Sequence, residues 1–147
     1  MPLSPHARFN AVLAGLVLLV LAYVFGRAFY DARGLGYALE SRALVIRHRG
    51  RIVIPYARME KVTFYRTPPP MRKMQGTSLG RIRFGRFRLQ GVEGEVTVYA
   101  ADASRPLLLV ETPEAKYGLT PADGEAFYRR LLARIERSKP EASLGAG

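Results

Sequence analysis

A chain of 147 residues with a net charge of +11, no cysteine and only two histidines has room for one domain of about 110 residues beside a membrane span. The missing thiols exclude disulfide frameworks, thiolate metal sites and cysteine nucleophiles, and His6 and His48 are too few for a multi-histidine metal centre. The charge is uneven: residues 1–92 hold 16 Lys/Arg against 3 Asp/Glu, and residues 93–147 hold 7 against 9.

Residues 1–8 are short and aperiodic and are read as an N-terminal tail. From Ala11 to Phe25 every residue is apolar or Gly. A helix rises about 1.5 Å per residue through a hydrocarbon core of about 30 Å, so residues 9–30 suit a transmembrane helix with Arg27 snorkelling to the headgroups. The run is long for a signal-peptide core, and no A-x-A site follows it, which favours an uncleaved anchor. Arg8 stands before the span; Arg27, Arg33, Arg42, Arg47 and Arg49 follow it. The positive-inside rule therefore places the C-terminal domain on the cytoplasmic side of the inner membrane.

Past Gly34 and Gly36 the pattern turns to strands. Tyr37–Glu40, Ala43–His48 and Arg51–Ile54 read as the first three, with Arg49-Gly50 as a hairpin turn. Met59–Arg66 alternates Val62 and Phe64 against Lys61, Thr63 and Tyr65. Thr67–Ser78 begins with three consecutive prolines in four residues and is expected to be an irregular loop.

In Arg81–Gln90 the apolar residues Phe84 and Phe87 are three apart. A bulge at Gly85 would keep Ile82, Phe84, Phe87 and Leu89 inward and line up Arg81, Arg83, Arg86 and Arg88 on the outer face, beside Arg72 and Lys73. Glu95–Ala100 alternates, Pro106–Val110 is continuously apolar, and Tyr117–Leu119 is a short last strand. Thr120 is then the expected N-cap of a helix with Pro121 at its first position. Phe127, Leu131 and Ile135 recur at i, i+4 and i+8, and Pro140 is the expected stop. Residues 139–147 read as a flexible tail.

The stretches YALESRALVIRHRGRIVIPYARMEKV, GTSLGRIRFGRFRLQG, EVTVYAADASRPLLLVET and KYGLTPADGEAFYRRL, in this order behind a membrane helix, resemble the bacterial PH-like (pleckstrin-homology-like) domain proteins over about residues 36–136. The resemblance implies a mainly β fold over 36–138: a roll or barrel of about seven antiparallel strands capped by a C-terminal α-helix. Phosphoinositide-binding relatives in eukaryotes use basic residues between their first two strands; here that connection is only Ser41-Arg42. No catalytic residues come with the resemblance.

The residues themselves do not assemble an enzyme. His48 sits on an alternating strand as a structural residue, Glu93 and Glu95 share a turn, and the Gly80–Gly85 spacing lacks the Lys and helix of a phosphate loop. No cofactor and no metal are expected. The expected role is a membrane-anchored protein-interaction or assembly module, with self-association as one form of it. The alternative is docking to anionic lipid headgroups through Arg72, Lys73, Arg81, Arg83, Arg86 and Arg88. Nucleic-acid binding is disfavoured, because the phenylalanines of 83–88 are assigned to the core.

Overall fold

Helix α1 spans Pro5–Gly34 in the computed structural model, which describes residues 4–146. It starts ahead of the apolar run because Ser4 caps it. The Ala7 amide donates to Ser4 Oγ (3.2 Å) and the Arg8 amide to Ser4 O (3.0 Å), and proline fits the first helical position. Residues 5–8 are thus helical rather than tail; residues 1–3 lie outside the described residues. At 30 residues the helix is about 45 Å long. Over Pro5–Tyr30 it is long and apolar enough to cross a membrane, and its most apolar window is nowhere buried by the rest of the protein.

Strands β1 (Gly36–Leu39), β2 (Ala43–Arg47) and β3 (Arg51–Pro55) form an antiparallel sheet in that order. Arg47 pairs with Arg51, so His48 joins Arg49 and Gly50 in the turn. A single 3-10 turn at Tyr56–Arg58 leads on.

The second sheet holds β4 (Lys61–Tyr65), β5 (Met71–Leu79), β6 (Ile82–Leu89), β7 (Val96–Ala100), β8 (Leu107–Glu111) and β9 (Lys116–Leu119). Its order is β4-β8-β9-β7-β6-β5. All neighbours are antiparallel except β7 and β9, which run parallel. The mainly β architecture with a C-terminal helix is as the sequence implies, with nine strands in two sheets.

Strand β5 corrects the expected loop. Only residues up to Pro70 are irregular, since prolines 68–70 lack amide donors. From Met71 nothing bars pairing, and the chain enters the ladder with β6. Gly76 faces Gly85 across that ladder. A Cβ on Gly76 would lie 2.1 Å from Phe84 O, and one on Gly85 2.3 Å from Gln75 O.

Strand β6 corrects the expected bulge. Its ladder with β7 is unbroken from Arg83↔Ala100 to Phe87↔Val96, so alternate residues keep to alternate faces. Phe84 and Phe87 are both buried, but on opposite faces. Phe87 joins Leu89, Val96, Val98, Ala100, Leu107 and Leu109, whereas Phe84 joins Ile82 and Ala28. The irregularity lies on β5, between Lys73 and Gln75. Phe87 is covered by the second cluster on one face of β6 and Phe84 by Ala28 and His48 on the other, so no phase slip is needed to hide both rings.

Double coverage also explains the unbroken apolar run of β8. Leu108 and Val110 enter the main core with Leu44, Ile46, Ile54 and Tyr56, and Leu107 and Leu109 enter the second cluster. A strand buried on both faces reads as continuous rather than alternating hydrophobicity.

Helix α2 spans Gly124–Ala146. Its N-cap is Asp123, not Thr120: the Ala126 amide donates to Asp123 Oδ1 (3.4 Å) and the Phe127 amide to Asp123 O (2.9 Å). Thr120 is instead buried, four residues short of the helix, and its amide donates to Tyr37 Oη (3.3 Å). Phe127, Leu131 and Ile135 enter the main core, as their spacing predicts. The helical backbone continues beyond Pro140; proline costs it one hydrogen bond, while its φ remains helical.

Candidate functional site

The anchor meets the domain at the tip of the β5–β6 hairpin. Ala28 is the one strongly buried residue of α1 among those described, at 6% exposure, and it shares a cluster with Ile82 and Phe84. The His48 ring stacks on Phe84 (centroids 4.2 Å apart, planes 18° apart) and meets Tyr99 edge-on at 5.6 Å. One phenylalanine therefore joins the anchor, the β2–β3 turn and the hairpin. A cavity of about 380 Å³ opens beside it, lined by Phe25 and Phe29 of the anchor and by Leu79, Arg81, Ile82 and Asp102 among the domain residues.

The six basic residues singled out in the sequence divide into two groups. Arg81 lies in the hairpin turn, 3.8 Å from Asp102. The Asp102 carboxylate accepts from the Ser104 hydroxyl (2.5 Å) and amide (3.0 Å). The Ser104 hydroxyl chiefly holds its pKa below the usual value, helped by Arg81 and Arg105 and opposed by partial burial. Arg83 folds back on its own turn, donating to Gly80 O (2.5 Å) and Ile82 O (2.9 Å).

Arg86 and Arg88 lie on the opposite face of β6 from Arg83, because strand side chains alternate. The expected single row of four guanidiniums is therefore broken. Arg86 donates to Gln75 Oε1 and, at 3.4 Å, to Glu95 Oε2. Arg88 sits directly across from Arg72, next to Lys73. These last three have no carboxylate partner among the described residues. They stand at the far end of the hairpin, about 20 Å along the strand from Ile82.

The Tyr37 hydroxyl is structural. Tyr37 Oη donates to Tyr99 O and accepts from the Thr120 amide. Burial pushes its pKa up to about 12. It clips β1 to β7 and to the entry of α2. Among the described residues no group of three His, Asp or Glu is placed to hold a metal ion.

Sequence reasoning passed over a basic concavity lined by Arg42 of the β1–β2 turn and by Arg134 and Arg137 of α2. The only signal for it was the i, i+4, i+7 spacing of Arg130, Arg134 and Arg137. Nothing local ties Arg42 to them.

The helix-capped pair of sheets begins where α1 ends, and the family model for the bacterial PH domain matches residues 35–135. The chain belongs to the bacterial PH domain family. The match leaves out the anchor and covers β1 to β9 and the first turns of α2. PH-like domains are in general binding modules rather than catalysts. Neither the curated proteins nor the solved structures contain a match to this chain.

Proposed function

We propose that this chain is a single-pass, membrane-anchored, non-enzymatic binding module with a protein-interaction or assembly role. The observation that supports the reading is the burial of Ala28 against the hairpin in a helix otherwise bare along its apolar length. An apolar surface of that size calls for lipid to cover it. Packing at Ala28 then holds the PH domain at a set attitude to the bilayer, not on a free tether. The Lys/Arg bias around the span favours the cytoplasmic side of the inner membrane.

In that attitude Arg81 and Arg83 stand nearest the anchor. Arg72 and Lys73 on the open edge strand β5, and Arg88 across from them on β6, are carried to the outer end of the hairpin, where a surface rich in carboxylates complements them. The phenylalanines between the arginines are buried and offer no stacking face to nucleic acid.

The test is cross-linking in membranes that hold the full chain, followed by purification of its adducts. The triple variant R72E/K73E/R88E is expected to lose the protein adducts that the parent and R81E/R83E both form. Unchanged adducts in the triple variant would refute the reading.

A second reading, docking to anionic headgroups, is favoured at one place only. Arg81 borders the cavity shared with Phe25 and Phe29, which sit near the end of the apolar span. It requires that R81E/R83E, and not R72E/R88E, raise the mobility of the domain over anionic bilayers.

A further inference from the structure

Strand β5 is an outer strand of the six-stranded sheet, with β6 as its one neighbour there. At nine residues it is the longest of the four outer strands; β1 has four, and β3 and β4 have five each. Its free side is a row of amides and carbonyls about 30 Å long with no strand to pair with. The other outer strands are tied or stopped. Tyr37 of β1 donates to Tyr99 O, Phe64 of β4 stacks on Tyr128 of α2 (centroids 5.4 Å apart), and β3 ends in Pro55.

Lysines, prolines and bulges are the usual guards of an open edge. On β5 they are confined to the outer end, where Lys73 stands and where the register shifts between Lys73 and Gln75. From Gln75 to Leu79 the ladder is unbroken, and the segment has no charged residue and no proline. Five residues are an ordinary strand length. The edge is therefore open from Gln75 onward and carries cations only past the shift.

Pairing puts Leu79, Thr77, Gln75 and Arg72 on one face of the hairpin, across from Ile82, Phe84, Arg86 and Arg88. That face is apolar where Ile82 and Phe84 meet Ala28 and basic at the outer end. Residues 61–92 hold eight Lys/Arg and no Asp/Glu. Met74, at the shift, is 45% exposed and offers an apolar contact beside the cations.

We propose that β5 takes an extended acidic segment of a partner protein as an added strand, with carboxylates at alternate positions facing Arg72 and Arg88. The inference names the partner's chemistry for the protein-interaction reading above and rests on that reading. Main-chain hydrogen bonds along the edge supply affinity, and alternate side chains supply the choice of partner. Alternation is required because residues two apart share a face, and Arg72 and Arg88 stand on one face only. A second copy of this chain is the poorer occupant, since its own edge has the same sign and like charges across a ladder repel.

The test is titration of the full chain, in nanodiscs of zwitterionic lipid, with an acetylated and amidated octapeptide of alternating Glu and Thr at constant ionic strength. One saturable site is expected, with slowed amide exchange in Gln75–Leu79. R72Q/R88Q weakens it about five-fold, the scale of two exposed ion pairs, while R81Q/R83Q leaves it unchanged. The same peptide with every amide N-methylated keeps its charge but loses its donors, and is expected not to bind. Absence of saturable binding, binding retained by the N-methylated peptide, parental affinity in R72Q/R88Q, or slowed exchange elsewhere than β5 each overturns the proposal. If R72E/K73E/R88E still loses its protein adducts in that event, the protein-partner reading stands and only the added strand fails. Slowed exchange in Gln75–Leu79 without peptide, in nanodiscs holding two chains but not in those holding one, assigns the edge to a second copy and also overturns it.

Discussion

Phe84 and Phe87 lie three residues apart on β6 and are buried on opposite faces of one sheet. Phe87 belongs to the domain's own interior, and Phe84 to the joint with the anchor. The two rings therefore report on different things. Phe87→Ala is expected to cost about 3–5 kcal/mol of stability, read by denaturant unfolding of the full chain in detergent. Phe84→Ala is expected to speed amide exchange at the hairpin tip and in the last turns of α1 while leaving β8 protected. Equal loss of protection in β8 and at the tip would contradict this division.

Gly76 and Gly85 face each other at φ 121° and 125°, where side chains are strained even before any clash is counted. Gly85→Ala is expected to destabilise by about 2 kcal/mol or more, because its methyl group would meet the backbone of Gln75. An unchanged unfolding midpoint would mean that the two strands do not approach so closely.

Tyr37 is a pH reporter with a definite sign. Its folded pKa of about 12 lies above the ordinary 10.0, so between these values the unfolded chain gives up the proton first. Stability is then fully present below pH 10.0 and is lost as pH rises toward about 12. Tyr37→Phe should remove this alkaline loss and cost about 1–2 kcal/mol at neutral pH, through its hydrogen bonds to Tyr99 and Thr120. Tyrosinate absorbance followed alongside unfolding checks it. An alkaline transition unaltered in Tyr37→Phe would place its source elsewhere.

Arg72 and Arg88 oppose each other on an exposed ladder, a like-charge pair that costs a little stability. Arg88→Glu turns it into an attractive pair and is expected to stabilise by a few tenths of a kcal/mol, at most about 1. The same variant should lose protein adducts. Stability and function then move in opposite directions, and a misfolding explanation of the lost adducts is excluded. Destabilisation by Arg88→Glu would show that Arg88 has a structural partner.

What was legible in the sequence follows from how local each signal is. The apolar run of α1, the continuous run of β8 and the Phe127, Leu131, Ile135 stripe each carry their burial in their own spacing. Strand β5 was hidden because its residues are mostly polar and exposed, as an outer strand allows, and because three prolines precede it. Phe84 was misplaced because its burial comes from Ala28 and His48, far away in the chain. The parallel pairing of β7 with β9 and the groove that Arg42 and Arg134 both line are likewise products of packing between distant segments. The N-cap moved from Thr120 to Asp123 because both side chains can cap, and the buried contact with Tyr37 claims the Thr120 backbone.

The most direct test of the account asks on which side of the membrane each end lies. The chain has no cysteine of its own, and His6 and Ala122 are both exposed. His6→Cys and Ala122→Cys, expressed separately, can be treated in intact cells with a membrane-impermeant maleimide. His6→Cys is expected to label at once and Ala122→Cys only after lysis, with both chains full-length in the membrane fraction. Labelling of Ala122→Cys in intact cells, or a soluble product lacking the apolar helix, would contradict it.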